Sequence, residues 1–495
     1  MKVIGSPSIP PVNAAIIASF YKGKGIESQE KELASELTGF ISKVVLEEKF
    51  TGELGKTLII RTGCDYSTAT KIILIGAGEK ERLNLNRIRK IASIAVSTAE
   101  KERLDNVSML LPDKDYILLK TAKAITESAY FTAYKFDKYK SSEDDYSGLQ
   151  NLQIISPSDE ARLVNFYQGI CSQGIHLGTI TANAQTLARN IASEPAKYMT
   201  PEILAQVAQQ VARDNNLKIK ILTKKDCKRL GMGSFLAVSE GSDKPPRFIV
   251  ITYTPQAKPK KHIAIVGKGV TFDSGGLSIK PSDGMATMKC DKSGAAAVIG
   301  VMSTMKKFHP DSKITMIAPA VENMTGGGAM KLGDIVTAMN GKTIEILNTD
   351  AEGRLILADA IAYAVREGAD EIIDIATLTG ACKVALGDDI AGVMTNSDPF
   401  AQKVITAGNE AGEDMWQLPI RDSNRDSIKS NVADMKNIGD KGLAGAQTGF
   451  VFLERFTNDK PLVHLDIAGP AWPNGAKWPT GFGTRALINY LLNHS

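Results

Sequence analysis

The sequence predicts an α/β protein, with a small N-terminal α/β domain and a larger C-terminal α/β/α domain on a mostly parallel central sheet. Three observations predict it. At 495 residues the chain exceeds one ordinary domain and holds enough apolar material for a large core. Continuous apolar runs of strand length alternate with helix-like stretches, the pattern of strands covered on both faces by helices. Segments rich in glycine and carboxylates follow two of those runs, where open α/β sheets hold their ligands.

We place the first domain at residues 1–158, a connecting helix at 159–193 and the second domain at 194–495. In the first domain, strand-like runs at 14–20, 58–61, 71–75 and 107–111 alternate with helical ones, notably 86–101. Lys2, a broken apolar run at 14–20, then Lys22 and Lys24 make a poor signal peptide and a fair first strand. Gly76-Ala77-Gly78 after a strand suggests a dinucleotide loop. Glu81 stands where its third glycine belongs, so the pair reads as a turn. Residues 135–145 are charged and loop-like, with 141–145 exposed. Pro195 closes the connecting helix. Thr200-Pro201-Glu202 starts the next one, with Thr200 as N-cap and Pro201 at the first position. Beyond Leu217, strand candidates fall at 218–222, 248–253, 261–266, 313–318, 343–347, 371–376, 390–394 and 462–467. Helices are expected at 293–308 and 355–366.

Hydrophobic residues make up 43% of the chain and the formal net charge is +4, which points to no dedicated nucleic-acid or membrane-surface partner. Cys64, Cys171, Cys227, Cys290 and Cys382 lie far apart with no CxxC pair, which suits reduced thiols in a cytoplasmic protein. No run is long and apolar enough to span a bilayer.

Residues 348–355 read Asn-Thr-Asp-Ala-Glu-Gly-Arg-Leu and join an alternating, strand-like 343–347 to an Ala-rich helical stretch. In extended backbone, residues two apart share a face, so Asn348, Asp350, Glu352 and Arg354 would project together. Carboxylates aimed at one point need a proton or a cation between them. For the octet alone, an acidic turn capping the next helix is an equally weighted reading. A second stretch shifts the balance. Apolar 262–266 runs into Gly267-Lys268-Gly269 and on to Asp273-Ser274-Gly275-Gly276, with Lys280 and Asp291 following. Four such carboxylates suit hard or borderline divalent ions, and shared ones can bridge two. A lysine that ligates such an ion must be a neutral amine, which the cation enforces by opposing protonation.

Residues 266–281, Met288-Lys289-Cys290-Asp291 and the 348–355 octet resemble signature stretches of the leucyl (cytosol) aminopeptidase family. The resemblance runs on through Ala376-Thr377-Leu378-Thr379-Gly380 and His464-Leu465-Asp466-Ile467-Ala468-Gly469, and is loose in the N-terminal third. It implies a metal-dependent aminopeptidase that takes leucine and other residues from peptides with free N-termini. Two divalent ions per chain are implied, manganese as first expectation and zinc as second. Asp273 and Glu352 would bridge them; Asp350, by side chain and backbone carbonyl, would complete one site, Lys268 and Asp291 the other. Lys280 would donate to the tetrahedral oxyanion, and Arg354 would hold a bicarbonate ion that relays a proton. Asn348, Thr377, Leu378 and Gly380 match substrate-lining positions, with Met288 and Ala468 in the side-chain pocket. Pro470-Ala471 replaces bulkier pocket residues of some relatives. A homohexamer is implied as well.

Other motifs carry less. Phe272-Asp273-Ser274-Gly275-Gly276 also resembles the nucleophile loop of trypsin-like proteases, but Phe272 stands where that loop has glycine and the surroundings are α/β. Gly267-Lys268 is no Walker loop, because Gly269 replaces the hydroxyl residue after the lysine. His176, His262, His309, His464 and His494 form no HExxH motif; His262 and His464 read as satisfied structural residues. Some bacterial relatives bind DNA, yet Lys120, Lys123, Lys135, Lys138 and Lys140 are scattered among acids and aromatics here. A dipeptidase using the same site is the remaining alternative.

Overall fold

A computed structural model describes residues 1–6, 15–26, 35–62, 70–112, 117–141, 146–155 and 164–494. Cys64, the acidic run 142–145 and the start of the connecting segment at 159–163 lie outside the described residues. The chain divides into two compact units, Met1–Asn183 and Ala184–Ser495.

The first unit contains β1 (Lys2–Ser6), β2 (Ala15–Tyr21), α1 (Ser35–Glu47), β3 (Thr57–Arg61), β4 (Lys71–Gly78), α2 (Leu85–Lys101), β5 (Asn106–Leu110), α3 (Leu118–Ala133) and β6 (Asn151–Ile155). Its described strands form a six-stranded sheet, β1-β6-β5-β2-β4-β3, parallel except at the β3–β4 edge. Ile88, Ile91, Ala95 and Val96 of α2 share a core with Ile73 and Ile75 of β4. Gly76 lies inside β4 rather than in a turn. A Cβ there would sit 2.0 Å from the Glu53 carbonyl oxygen, so only glycine lets the strand approach that segment.

α4 (Val164–Ser193) begins in the first unit and ends in the second, which continues with α5 (Pro201–Asp214), β7 (Lys218–Leu222), α6 (Lys224–Arg229), α7 (Gly233–Ser239), β8 (Arg247–Tyr253), β9 (His262–Gly267) and β10 (Gly269–Asp273). Next come α8 (Ser282–Met285), α9 (Ser293–Met302), α10 (Met305–Phe308), β11 (Lys313–Asn323), β12 (Ile335–Thr337), β13 (Thr343–Glu345), α11 (Glu352–Arg366), β14 (Glu371–Ala376) and α12 (Gly380–Leu386). Last are β15 (Ala391–Thr395), α13 (Asp398–Ala411), β16 (Met415–Gln417), α14 (Asp422–Asp426), β17 (Met435–Lys436), α15 (Gly445–Glu454), β18 (Leu462–Asp466) and α16 (Thr484–His494).

The main sheet is ordered β16-β15-β18-β14-β9-β11-β8-β7, with β10 also paired to β11. Antiparallel pairing is confined to β7–β8, β8–β11 and β15–β18. Successive residues of β9 feed opposite layers. Ile263 and Ile265 pack in a core with α9 and α16, whereas Ala264 and Val266 pack with α11 and α15. Burial on both faces is why the run is apolar without a break. Thr200 caps α5 as its sequence suggests, its hydroxyl accepting from the Ile203 N–H.

Two further expectations are corrected. Residues 343–345 join a three-stranded side sheet, β12-β13-β17, rather than the main one. Of the three only Ile344 is fully buried, so this strand could not be covered on both faces. The helix expected over 293–308 breaks into α9 and α10. Ser303 and Thr304 turn their hydroxyls back to the Gly300 and Val301 carbonyls at 2.6 and 2.7 Å, which favours a turn over continued helix. Cys171, Cys227, Cys290 and Cys382 are buried free thiols. Among the described residues no helix is long and apolar enough to cross a membrane.

Candidate active site

The site gathers at the carboxyl ends of β9, β10, β14 and β18. Lys268 follows β9, and its backbone N–H donates to the Ile375 carbonyl in β14 at 3.1 Å. Asp273 ends β10, where its Oδ1 accepts from the Gly275 N–H and from Asn323 Nδ2, both at 2.8 Å. Asp291 lies in the tight turn 288–292 ahead of α9, and Thr377 Oγ1 donates to its Oδ1 at 2.7 Å. Asp350 follows a turn in which the Asn348 side chain accepts from the Asp350 N–H at 2.8 Å. Glu352 opens α11, at the positive end of the helix dipole.

These groups converge. Oxygens of Asp273, Asp350 and Glu352 lie within 4.8 Å of one another. Lys268 Nζ stands 2.7 Å from Asp291 Oδ1 and 2.8 Å from Glu352 Oε1. Lys280 Nζ stands 3.0 Å from Asp273 Oδ2 and also pairs with Asp350. Lys268, Asp273, Asp291 and Glu352 are buried; Lys280 and Asp350 are half-buried.

The spacing argument for the octet reaches the right residues by the wrong geometry. Glu352 and Arg354 lie in the first turn of α11, not in extended backbone. Helix prevails because residues 355–364 are buried core and draw the helix start to Glu352. Glu352 meets Lys268, whereas Arg354 turns its Nη1 to the Asn437 carbonyl at 3.0 Å.

Burial raises the carboxyl pKa values of Asp291 and Glu352; Lys268 pulls both down, and the charge of Asp273 pushes both further up. For Lys268, burial opposes the charge, but Asp291, Glu352 and Asp273 outweigh it and hold the ammonium above its ordinary range. Lys280 is raised in the same way, burial being overcome by Asp273, Glu352 and Asp350. Burial lowers Arg354 to about 10, with Glu352 and Asp466 opposing, so its guanidinium stays charged at neutral pH.

Asp291 Oδ2 and Glu352 Oε2 are buried and accept no hydrogen bond among the described residues. Carboxylate oxygens taken out of water without a partner are costly. A cluster of four carboxylates with two such oxygens and one lysine nitrogen fits hard or borderline divalent ions.

Of the other residues singled out, Asn348 and Arg354 line a cleft of about 700 Å³ with Leu347, Ala381, Leu418 and Ile438. Met288, Thr377, Leu378, Gly380 and Ala468 do not line that cleft. Thr377 and Leu378 follow β14, and Lys268 Nζ donates to the Thr377 carbonyl at 3.0 Å. Gly380 opens α12, Met288 is half-buried at the start of the 288–292 turn, and the Ala468 N–H donates to Asp466. His262 Nε2 meets Thr315 Oγ1 at 2.8 Å. His464 is only half satisfied: its Nδ1 meets Asp374 at 2.6 Å, while Nε2 has no partner among the described residues.

Three buried polar residues also shape the site. Asn323 ties Asp273 to the Thr349 carbonyl. Asn437 accepts from the N–H groups of Leu347 and Asn348 and donates to the Asn348 carbonyl at 2.6 Å. Asp466 binds the backbone after β14. Only Asp466 stands in one of the motif stretches that carry the resemblance; an isolated asparagine carries no sequence signal.

A family model for the catalytic domain of the cytosol aminopeptidase family matches residues 186–488, and one for its N-terminal domain matches residues 16–143. The chain belongs to the cytosol aminopeptidase family. Membership makes it a peptidase, and an aminopeptidase among peptidases. A probable cytosol aminopeptidase of Persephonella marina is 42% identical over 97% of each chain. One of Trichormus variabilis is 40% identical over 96% of each. Among solved structures, a tomato leucine aminopeptidase mutant matches with a TM-score of 0.88 at 33% identity, covering 99% of this chain and 96% of that one. The two-unit α/β architecture is that of this family.

Proposed function

We propose that the chain is a two-metal aminopeptidase that removes leucine and other residues from free peptide N-termini. One observation carries the reading: a buried lysine–carboxylate cluster in which Asp291 Oδ2 and Glu352 Oε2 lack hydrogen-bond partners among the described residues. Asp273 and Glu352 would bridge two divalent ions, with Asp350 completing one site and Lys268 and Asp291 the other. Oxygen donors with one amine admit manganese, our first expectation, and zinc, our second. When bound, such ions acidify a water and polarise the scissile carbonyl.

The chain's own groups do the rest. Lys280, kept cationic by Asp273 and Asp350, is the donor to the oxyanion that develops on the attacked carbonyl. Arg354, fixed by the Asn437 carbonyl, offers a planar fork suited to bicarbonate, which would pass a proton from water to the leaving amine. Thr377 orients Asp291 through its hydroxyl and Lys268 through its carbonyl. Asn348, Thr377, Leu378 and Gly380 would line the substrate, and Met288 and Ala468 its side-chain pocket. The names of the relatives support a cytoplasmic enzyme, and a homohexamer is our expectation for its assembly. The scattered lysines of the N-terminal unit supply no reason to add DNA binding.

The test compares leucyl and N-acetyl-leucyl amides on manganese-loaded enzyme, and repeats the first after chelation. A free α-amine can ligate a metal; acetylation delocalises its lone pair and adds bulk. Hydrolysis should vanish on acetylation and on chelation, and return with manganese. Comparable kcat/KM for both amides, or full activity in chelator, would sink the reading.

A further inference from the structure

We propose that Asp466 is a positioning residue that fixes the substrate side-chain pocket, and so governs KM and side-chain selectivity rather than metal binding. The proposal rests on the aminopeptidase reading above. Asp466 ends β18 and is fully buried. Its Oδ1 accepts three backbone N–H groups, from Ala468 at 3.1 Å, Leu378 at 3.2 Å and Thr379 at 3.4 Å. Its Oδ2 accepts the Thr379 hydroxyl at 2.6 Å. The Thr379 oxygen in turn accepts the Cys382 N–H at 3.1 Å and so caps α12.

One carboxylate thereby pins two segments that are remote in sequence: the 377–380 loop after β14 and the 466–469 turn after β18. Both carry positions that we place against the substrate, Leu378 and Gly380 on one, Ala468 on the other. None of the four donors is a residue we place on a metal. The metal-facing groups Asp291 and Lys268 are held by the hydroxyl and carbonyl of Thr377. Three N–H groups converging on one oxygen call for an anion. Without it they would be buried and unpaired, and beyond the β14–β18 ladder and the bond from the Ile467 N–H to the Ala376 carbonyl the two segments would lose their shared anchor.

Asp466→Ala, Asp466→Asn, Thr379→Val and Thr379→Ser are compared with the parent enzyme, manganese-loaded, on leucyl and alanyl anilides, with metal content by elemental analysis. In Asp466→Ala both ions should remain, and KM for the leucyl substrate should rise about tenfold to a hundredfold. Its kcat should hold within about threefold, and the preference between leucine and alanine should shrink. Asp466→Asn keeps one acceptor oxygen and should fall between. Thr379→Val should raise KM by a smaller factor, and Thr379→Ser, which restores the hydroxyl, should return it to the parent value. Unchanged KM and selectivity in a folded Asp466 variant overturns the proposal, as does loss of metal together with kcat. Should Asp466→Ala not fold, equal KM values for Thr379→Val and Thr379→Ser overturn it. A parent enzyme without metal-dependent aminopeptidase activity would instead bring down the preceding reading, and this one with it.

Discussion

Gly353 and Lys268 lie so close that a Cβ at position 353 would stand 2.6 Å from Lys268 Cε and 2.7 Å from its Nζ. Glu352 can meet this lysine from the first turn of α11 only because the next residue has no side chain. In Gly353→Ala the methyl displaces the flexible end of Lys268 from Asp291 and Glu352. Alanine is the better helix former by about 1 kcal/mol, so the fold should hold. We expect one metal site to weaken at least about tenfold, the order seen when groups around a metal are disturbed, with the unfolding temperature nearly unchanged. Undiminished metal titration would show that the lysine moves without consequence.

The two lysines should separate by what they lose. Lys268→Ala removes a side chain we propose as a ligand and should weaken metal binding. Lys280→Ala should keep both ions and lower kcat by about a hundredfold or more, the effect of removing one oxyanion donor. Elemental analysis beside steady-state kinetics decides; the reverse pattern would mean that their roles are exchanged.

Glu352→Gln preserves size but removes the charge that, on our proposal, two cations share. We expect loss of at least one ion per chain and a fall in turnover of several orders of magnitude. Full metal content with near-normal turnover would contradict the bridge.

Asp359, away from the cluster, sets a pH dependence of stability. It is fully buried in α11 and accepts from the Phe235 N–H at 2.8 Å and the Met339 N–H at 2.7 Å. Burial pushes its carboxyl up to about 7, with those hydrogen bonds opposing. The unfolded value is near 4, so between about pH 4 and 7 the folded state binds the extra proton. Its stabilising contribution is therefore complete below about pH 4 and is lost as pH rises through about 7. Asp359→Asn cannot titrate. The stability of the parent relative to this variant should fall by on the order of 2–4 kcal/mol across that window. Calorimetry at several pH values checks it, and parallel profiles would refute it.

The fold class and the cluster were legible for different reasons. An apolar run such as 263–266 announces a buried parallel strand because both faces must be apolar. Lys268, Asp273, Asp350 and Glu352 stand out because charged residues crowd beside glycines at the ends of such runs. What stayed hidden depends on partners far along the chain. Ile344 and Glu345 pair with Met435 and Lys436, some ninety positions on, and nothing local reveals a side sheet. Asn437 and Asn323 act through single side chains with no periodicity to betray them. The start of α11 at Glu352 was masked by alternation that mimics a strand.

β18 is inserted between β14 and β15, both of which precede it in the chain. During synthesis the main sheet must therefore wait in two pieces, β14-β9-β11-β8-β7 and β15-β16, each with an open edge toward the gap. The lysine–carboxylate cluster, contributed by residues 268–352, belongs wholly to the earlier piece. Asp466 arrives only with the strand that closes the gap. On the roles proposed above, the order of emergence would separate the ability to gather ions from the ability to grip a peptide. It also leaves the joining of two exposed strand edges, the step most open to aggregation, until the chain is almost complete.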